Sequence, residues 1–135
     1  MSVGEQLAPF LGRLLIGGYF LSWAWSQSQD FEYWSSILLQ KEIERGPVVL
    51  SLIMVLMGLG GLGLITGFRT KVAALVLFAV TAFLTLLLHD FWTLPHGAER
   101  VLQAQLFFKN MAIGGGLLVL VGSGPGGFAL DADGD

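Results

Sequence analysis

The sequence predicts an all-α polytopic membrane protein: a four-transmembrane-helix bundle with a short amphipathic surface helix in the first long loop. Three observations carry this reading. Hydrophobic residues make up 54% of the 135-residue chain and charged residues only 13%, whereas a soluble domain is roughly a quarter charged. The apolar residues run in blocks, with no ionisable side chain from Gly46 to Phe68, from Val72 to Leu88, or from Asn110 to Leu130. A crossing of the hydrocarbon needs about 20 mainly apolar residues, and a chain this short cannot bury several such helices in one soluble core.

Residues 1–6 form a polar lead, and the first span is expected over about 7–26, with Pro9 in its first turn, where a missing N–H costs little. Arg13 followed by an apolar run also has the shape of a secretory signal peptide, but we expect the segment to be retained as a span. Trp23, Trp25, Phe31, Tyr33 and Trp34 crowd its exit, and Trp92 closes the third span. This is the distribution of an interfacial aromatic belt. Between Gln27 and Gly46 the apolar residues Phe31, Trp34, Ile37 and Leu38 recur at helical spacing among polar ones, which predicts a helix lying on the membrane surface. Gly46-Pro47 turns the chain into a second span over about 47–66, and Gly67 ends it. Phe68 to Lys71 make a tight turn into a third span over about 71–92. Glu99 and Arg100 lead into a fourth over about 100–122. We expect one membrane domain over 1–135, with residues 123–135 a glycine-rich, acidic tail that is solvated and partly mobile.

Four spans place both termini on one side together with the Arg69–Lys71 turn, and that basic turn favours the cytoplasmic side. The net charge of −3 offers no basic stripe for nucleic acid. The absence of cysteine removes disulfides, thiolate metal ligation and thiol chemistry. The bilayer is the expected partner, with other membrane-protein subunits or a second copy of the chain beside it.

The residues able to carry chemistry are few. The fourth span holds Gln103, Gln105, Lys109 and Asn110 in its first half and Gly114, Gly115 and Gly116 in its second. A lysine within a span is expected to face protein or water. Three- and four-residue steps gather these polar groups into one sector of the helix. Its two readings are a site for an anionic or quinone-like headgroup and a polar clamp that sets helix register. Arg13, a turn inside the first span, is expected to snorkel to lipid phosphates or to join that site. His89 and Asp90 stand where the third span meets water. Asp90 is expected to pair with Lys109 or Arg100, Gln103 and Gln105 are further structural polar contacts, and two histidines without further ligands predict no metal. Gly58, Gly60 and Gly61, with Gly114, Gly115 and Gly116, are expected at helix-packing positions.

Several stretches together resemble the DoxX family of small four-helix bacterial inner-membrane proteins: RLLIGGYFLSWAW, GLGGLGLITGFRTKVAAL, HDFW, FFKNMAIGGGLLVL and GPGGFALD. Met57, and Ser26 to Ser28, depart from that pattern. The resemblance implies a four-helix bundle in the bacterial cytoplasmic membrane and a link to redox membranes. The function it implies is an accessory or structural subunit of a membrane redox complex. The alternative is a quinone-linked oxidoreductase subunit of the thiosulfate:quinone type, with Lys109, Asn110, Arg13 and His89 about a quinone or lipid headgroup. No complete set of redox, metal or nucleophilic residues is present, so a non-catalytic role is expected.

Overall fold

The computed structural model describes residues 2–131. Five α-helices follow in order: α1 (Val3–Gln29), α2 (Phe31–Gln40), α3 (Gly46–Thr66), α4 (Thr70–Leu88) and α5 (Ala98–Ser123). A short 3-10 turn, Phe91–Thr93, precedes α5. No strand occurs among the described residues. α1, α3, α4 with its 3-10 extension, and α5 are each long and apolar enough to cross a bilayer. The chain is a multi-pass, all-α membrane protein.

The first helix starts earlier than expected. Ser2 Oγ accepts the Glu5 amide at 3.1 Å while Glu5 Oε2 accepts the Ser2 amide at 2.7 Å. This reciprocal cap nucleates a helix before the apolar run begins. Pro9 therefore lies inside α1 rather than in its first turn, and its ring nitrogen leaves one backbone carbonyl free of its usual partner. At 27 residues, α1 is about 40 Å long, longer than the hydrocarbon thickness of about 30 Å.

α1 packs on α3, α3 on α4, and α4 on α5, while α2 lies across the end of α3. α1 and α5 share few close contacts. The core runs between them through Phe20, Met57, Leu64, Leu77 and Leu117. Glycine sets the α1–α3 distance: a Cβ on Gly17 would fall 2.6 Å from the Gly61 carbonyl oxygen, and one on Gly61 2.8 Å from that of Gly17. Gly60 receives Leu77 of α4, Gly114 faces Phe78, and Gly116 faces Ile16 of α1. Gly58 and Gly115 have open space where a Cβ would stand. Neither therefore holds a neighbouring helix at close approach, contrary to expectation.

The residues after α5 do not form a loose tail. Gly124 and Gly126 take φ of 80° and 76°, which lets the chain double back on α1 and reach the α3–α4 turn. There the Leu130 and Asp131 amides donate to the Thr66 and Gly67 carbonyls at 3.1 and 2.9 Å. The Asp131 carboxylate accepts the Arg69 and Thr70 amides at 2.6 and 2.8 Å. A residue 61 positions away thus caps the first turn of α4. The expected solvated tail is corrected for residues 124–131; its remaining aspartates, Asp133 and Asp135, lie outside the described residues.

Candidate functional site: an aromatic cavity between the first and last helices

The α1 face that is buried carries Arg13, Gly17, Phe20 and Gln27 at helical spacing, but its two polar ends serve different structures. Arg13 is fully buried. Its Nε donates to the Pro125 carbonyl at 2.9 Å, Nη1 to those of Leu64 and Ile65 at 3.0 and 3.4 Å, and Nη2 to those of Gly127 and Phe128 at 2.8 and 2.9 Å. The guanidinium therefore meets the carbonyl end of α3, where the helix dipole is negative, together with the doubled-back segment. It does not snorkel to lipid. It also stands about 21 Å along α1 from Gln27, so it cannot share a headgroup site with His89, Lys109 and Asn110.

The other three candidates do converge. Where α1 and α5 diverge, a cavity of about 380 Å³ opens, with α3 and α4 behind it and α2 above it. Its α1 wall is Tyr19, Phe20, Trp23 and Gln27, and α2 adds Tyr33 and Trp34. Trp23 and Trp34 meet edge to face at 5.6 Å, as do Tyr33 and Trp34 at 5.4 Å, a geometry that aromatic quadrupoles favour. α4 contributes Val80, Thr81, Leu84 and His89, and α5 contributes Gln103, Leu106, Lys109 and Asn110. The cavity is thus an apolar, aromatic chamber with a few polar groups, the usual composition of a small-molecule site.

Each polar group has an identifiable state. His89 Nδ1 lies 2.7 Å from Gln103 Oε1; with the amide oxygen as acceptor, the imidazole donates through Nδ1. Asn110 is half-buried and Lys109 is exposed at the rim. Neither Gln27 nor Thr81 is more than 8% exposed, yet Gln27 Oε1 and Thr81 Oγ1 have no hydrogen-bond partner among the described residues. Buried polar atoms are ordinarily paired; of the five buried side-chain atoms without a partner among the described residues, two belong to residues that line this cavity, one from α1 and one from α4. Lys41 ends α2 and reaches across to Asp90 Oδ1 at 3.0 Å, with Thr93 Oγ1 3.3 Å from Asp90 Oδ2.

That pair corrects the expected one. Asp90 bonds to neither Lys109 nor Arg100: Arg100 Nη1 donates to the Leu94 carbonyl at 3.2 Å, and Lys109 belongs to the cavity rim. Gln103 turns inward, whereas Gln105 is exposed. Of the four tryptophans, Trp23 and Trp34 line the cavity, while Trp25 and Trp92 are 70% and 50% exposed. Sequence reasoning passed over Tyr19, Gln27, Lys41 and Thr81 as site residues. Phe20, Trp23 and Gln27 at three- and four-residue steps were the available signal. Lys41 had none, because a fold-back of α2 brings it in.

The family model described as the SURF4 family matches residues 34–134. The Surfeit locus protein 4 homolog of Drosophila melanogaster is 37% identical over 68 residues, which cover 50% of this chain and 25% of that protein. The inner membrane protein YqjF of Escherichia coli is 28% identical over 94% of this chain and 92% of its own length. The ER-derived vesicles protein ERV29 of Saccharomyces cerevisiae is 27% identical over 90% of this chain and 32% of its own. The chain spans about a quarter of the length of the Surfeit locus protein 4 relatives it matches. No solved structure matches it.

These findings overturn the resemblance to the DoxX family and, with it, both the redox-complex subunit and the quinone-linked oxidoreductase. The physical reason lies in what the shared-looking motifs do. RLLIGG supplies Arg13 and Gly17, GLGGLGLITGFRT supplies Gly61 and the α3–α4 turn, and GPGGFALD supplies the carbonyls around Arg13 and the Asp131 cap. These three build the bundle and its latch, while HDFW and FFKNMAIGGGLLVL bring His89, Lys109 and Asn110 to the cavity.

Proposed function

This chain belongs to the SURF4 family, and from that premise we propose that it acts as a membrane-embedded receptor: it binds an amphiphilic client in the aromatic cavity between α1 and α5 and performs no chemistry on it. One observation carries the reading, the meeting of five aromatic side chains from α1 and α2 with the orphaned Gln27 and Thr81 in one chamber. Its wall holds one imidazole and neither carboxylate nor thiol, which suits recognition better than acid–base or nucleophilic work. The name of the yeast relative ties that protein to vesicles, a setting in which holding a client is the natural task. The likeness to an Escherichia coli inner membrane protein over 94% of this chain supports a place in the bacterial cytoplasmic membrane. The basic Arg69–Lys71 turn supports cytoplasmic termini.

The test uses the full chain in lipid nanodiscs with Trp25 and Trp92 changed to Phe, so that only the cavity tryptophans emit. A neutral alkyl amide bearing a dansyl group should quench them saturably by energy transfer. Thr81→Phe, which fills the chamber, should abolish the transfer while the helical melt persists. Equal transfer in both proteins would sink the proposal.

A further inference from the structure

The receptor reading leaves the client's charge and route open, and the cavity constrains both. Its wall includes Lys41, His89 and Lys109 and no acidic side chain. The carboxylate beside it, Asp90, is taken up by Lys41 and Thr93, and no ion pair involves Lys109 among the described residues. The rim therefore carries uncompensated positive charge. Such a rim, partly withdrawn from water, favours an anion. Asn110 is half-buried beside the lysine, and Gln27 and Thr81 line the same chamber, so carboxamide N–H and hydroxyl donors stand near the ammonium. Carboxamide N–H and hydroxyl groups also donate to phosphate oxygens, though less strongly than the lysine ammonium.

The route follows from the helix order. α1 and α5 are the two ends of the packing sequence α1–α3–α4–α5. They close on each other only toward the Arg13 end, where Ile16 lies against Gly116. At the cavity they stand apart, and both are membrane spans. The flank between them therefore faces the bilayer. Phe108 and Met111, 58% and 55% exposed beside Lys109, present it with an apolar doorstep. A volume of about 380 Å³ accepts a headgroup and a few methylenes, so the rest of an acyl chain has to leave through that flank.

We propose that this cavity is a lateral binding site for an anionic lipid. The phosphate is held by Lys109, Asn110 and Gln27, the first methylenes lie on Trp23 and Trp34, and the tail stays in the bilayer between α1 and α5. The inference rests on the receptor reading and deepens it.

Displacement of the neutral dansyl probe, in the same nanodisc protein, tests it with three competitors: dihexanoyl phosphatidic acid, dihexanoyl phosphatidylcholine and inorganic phosphate. The phosphatidic acid should compete about tenfold better than the choline lipid, the worth of one charge-assisted contact. Lys109→Gln should erase that preference and Lys109→Arg should restore it, with melting temperatures checked in each. Equal competition by the two lipids, or a preference that survives Lys109→Gln, overturns the anionic assignment and leaves the receptor reading intact. Competition by inorganic phosphate as strong as that of phosphatidic acid overturns a lipid source. Failure of the neutral probe itself to bind condemns the receptor reading instead.

Discussion

Arg13 Nε donates to the Pro125 carbonyl at 2.9 Å across 112 residues of chain, and this contact ties the first helix to the segment that follows the last. The guanidinium fork reaches five carbonyls and no carboxylate. Removing it would strand those carbonyls in a buried site and free residues 124–131. Arg13→Met should cost about 2–4 kcal/mol, because it leaves buried carbonyls without a donor, each worth about 1–3 kcal/mol when fully stranded. Arg13→Lys should recover part of this and not all, because one ammonium cannot reproduce a planar fork. Thermal melts in detergent measure both. A wild-type melt for Arg13→Met would show that the latch contributes nothing.

Asp131 should make the same latch sensitive to acid. Burial pushes its carboxyl pKa upward, but the Thr70 and Arg69 amides and the Arg69 charge outweigh burial and hold it below the ordinary value of 3.8. A carboxyl whose pKa is lowered on folding stabilises the fold above its unfolded value. That stability is lost as pH falls through the folded one. Protection of the Arg69 and Thr70 amides from hydrogen exchange should therefore hold from neutrality down to about pH 4 and decline only below it. Asp131→Asn should reduce the protection at neutral pH and flatten the dependence.

These two contacts mark where the sequence was legible and where it was not. Helices appear where apolar periodicity and length demand them, and the surface helix α2 appears where Phe31, Trp34, Ile37 and Leu38 recur. Local signals of that kind are written in consecutive residues. The environment of Arg13 is not, because the carbonyls that satisfy it come from α3 and from a segment beyond α5 whose composition reads as loop. Asp90 misled for the same reason: proximity along the chain favoured Arg100, and the fold-back of α2 delivered Lys41. His89, Lys109 and Asn110 were legible as residues that would face the bundle together, because ionisable and amide groups in a span are costly when turned to lipid. Gln27 and Thr81 gain their meaning only from the atoms that fail to reach them.

Glycine spacing offers a sharper contrast, since neighbouring glycines of one run meet different surroundings. A methyl on Gly17 or Gly61 would press into the backbone of the facing helix, which cannot move away without separating α1 from α3. Gly17→Ala and Gly61→Ala should each lower stability by about 1–3 kcal/mol, the cost of overpacking. Gly58 faces open space, so Gly58→Ala should leave stability unchanged or raise it by up to about 1 kcal/mol through helix propensity. Melts of the three variants decide it, and equal effects would mean that helix propensity rather than close approach governs the run.

The Lys41–Asp90 pair predicts a small effect on stability and a larger one on the cavity. Both side chains are about a third exposed, so solvent screening limits their coupling to about 0.5 kcal/mol in a double-mutant cycle of Lys41→Met and Asp90→Asn. The pair nevertheless joins the end of α2 to the α4 end of the chamber, and α2 carries Tyr33 and Trp34 over the opening. Loosening it should let Trp34 swing away from Trp23. Asp90→Asn should therefore shift Trp emission toward that of exposed indole, with a melt within a few degrees of wild type. If emission stays fixed while the melt falls steeply, the pair braces the bundle and does not position the roof.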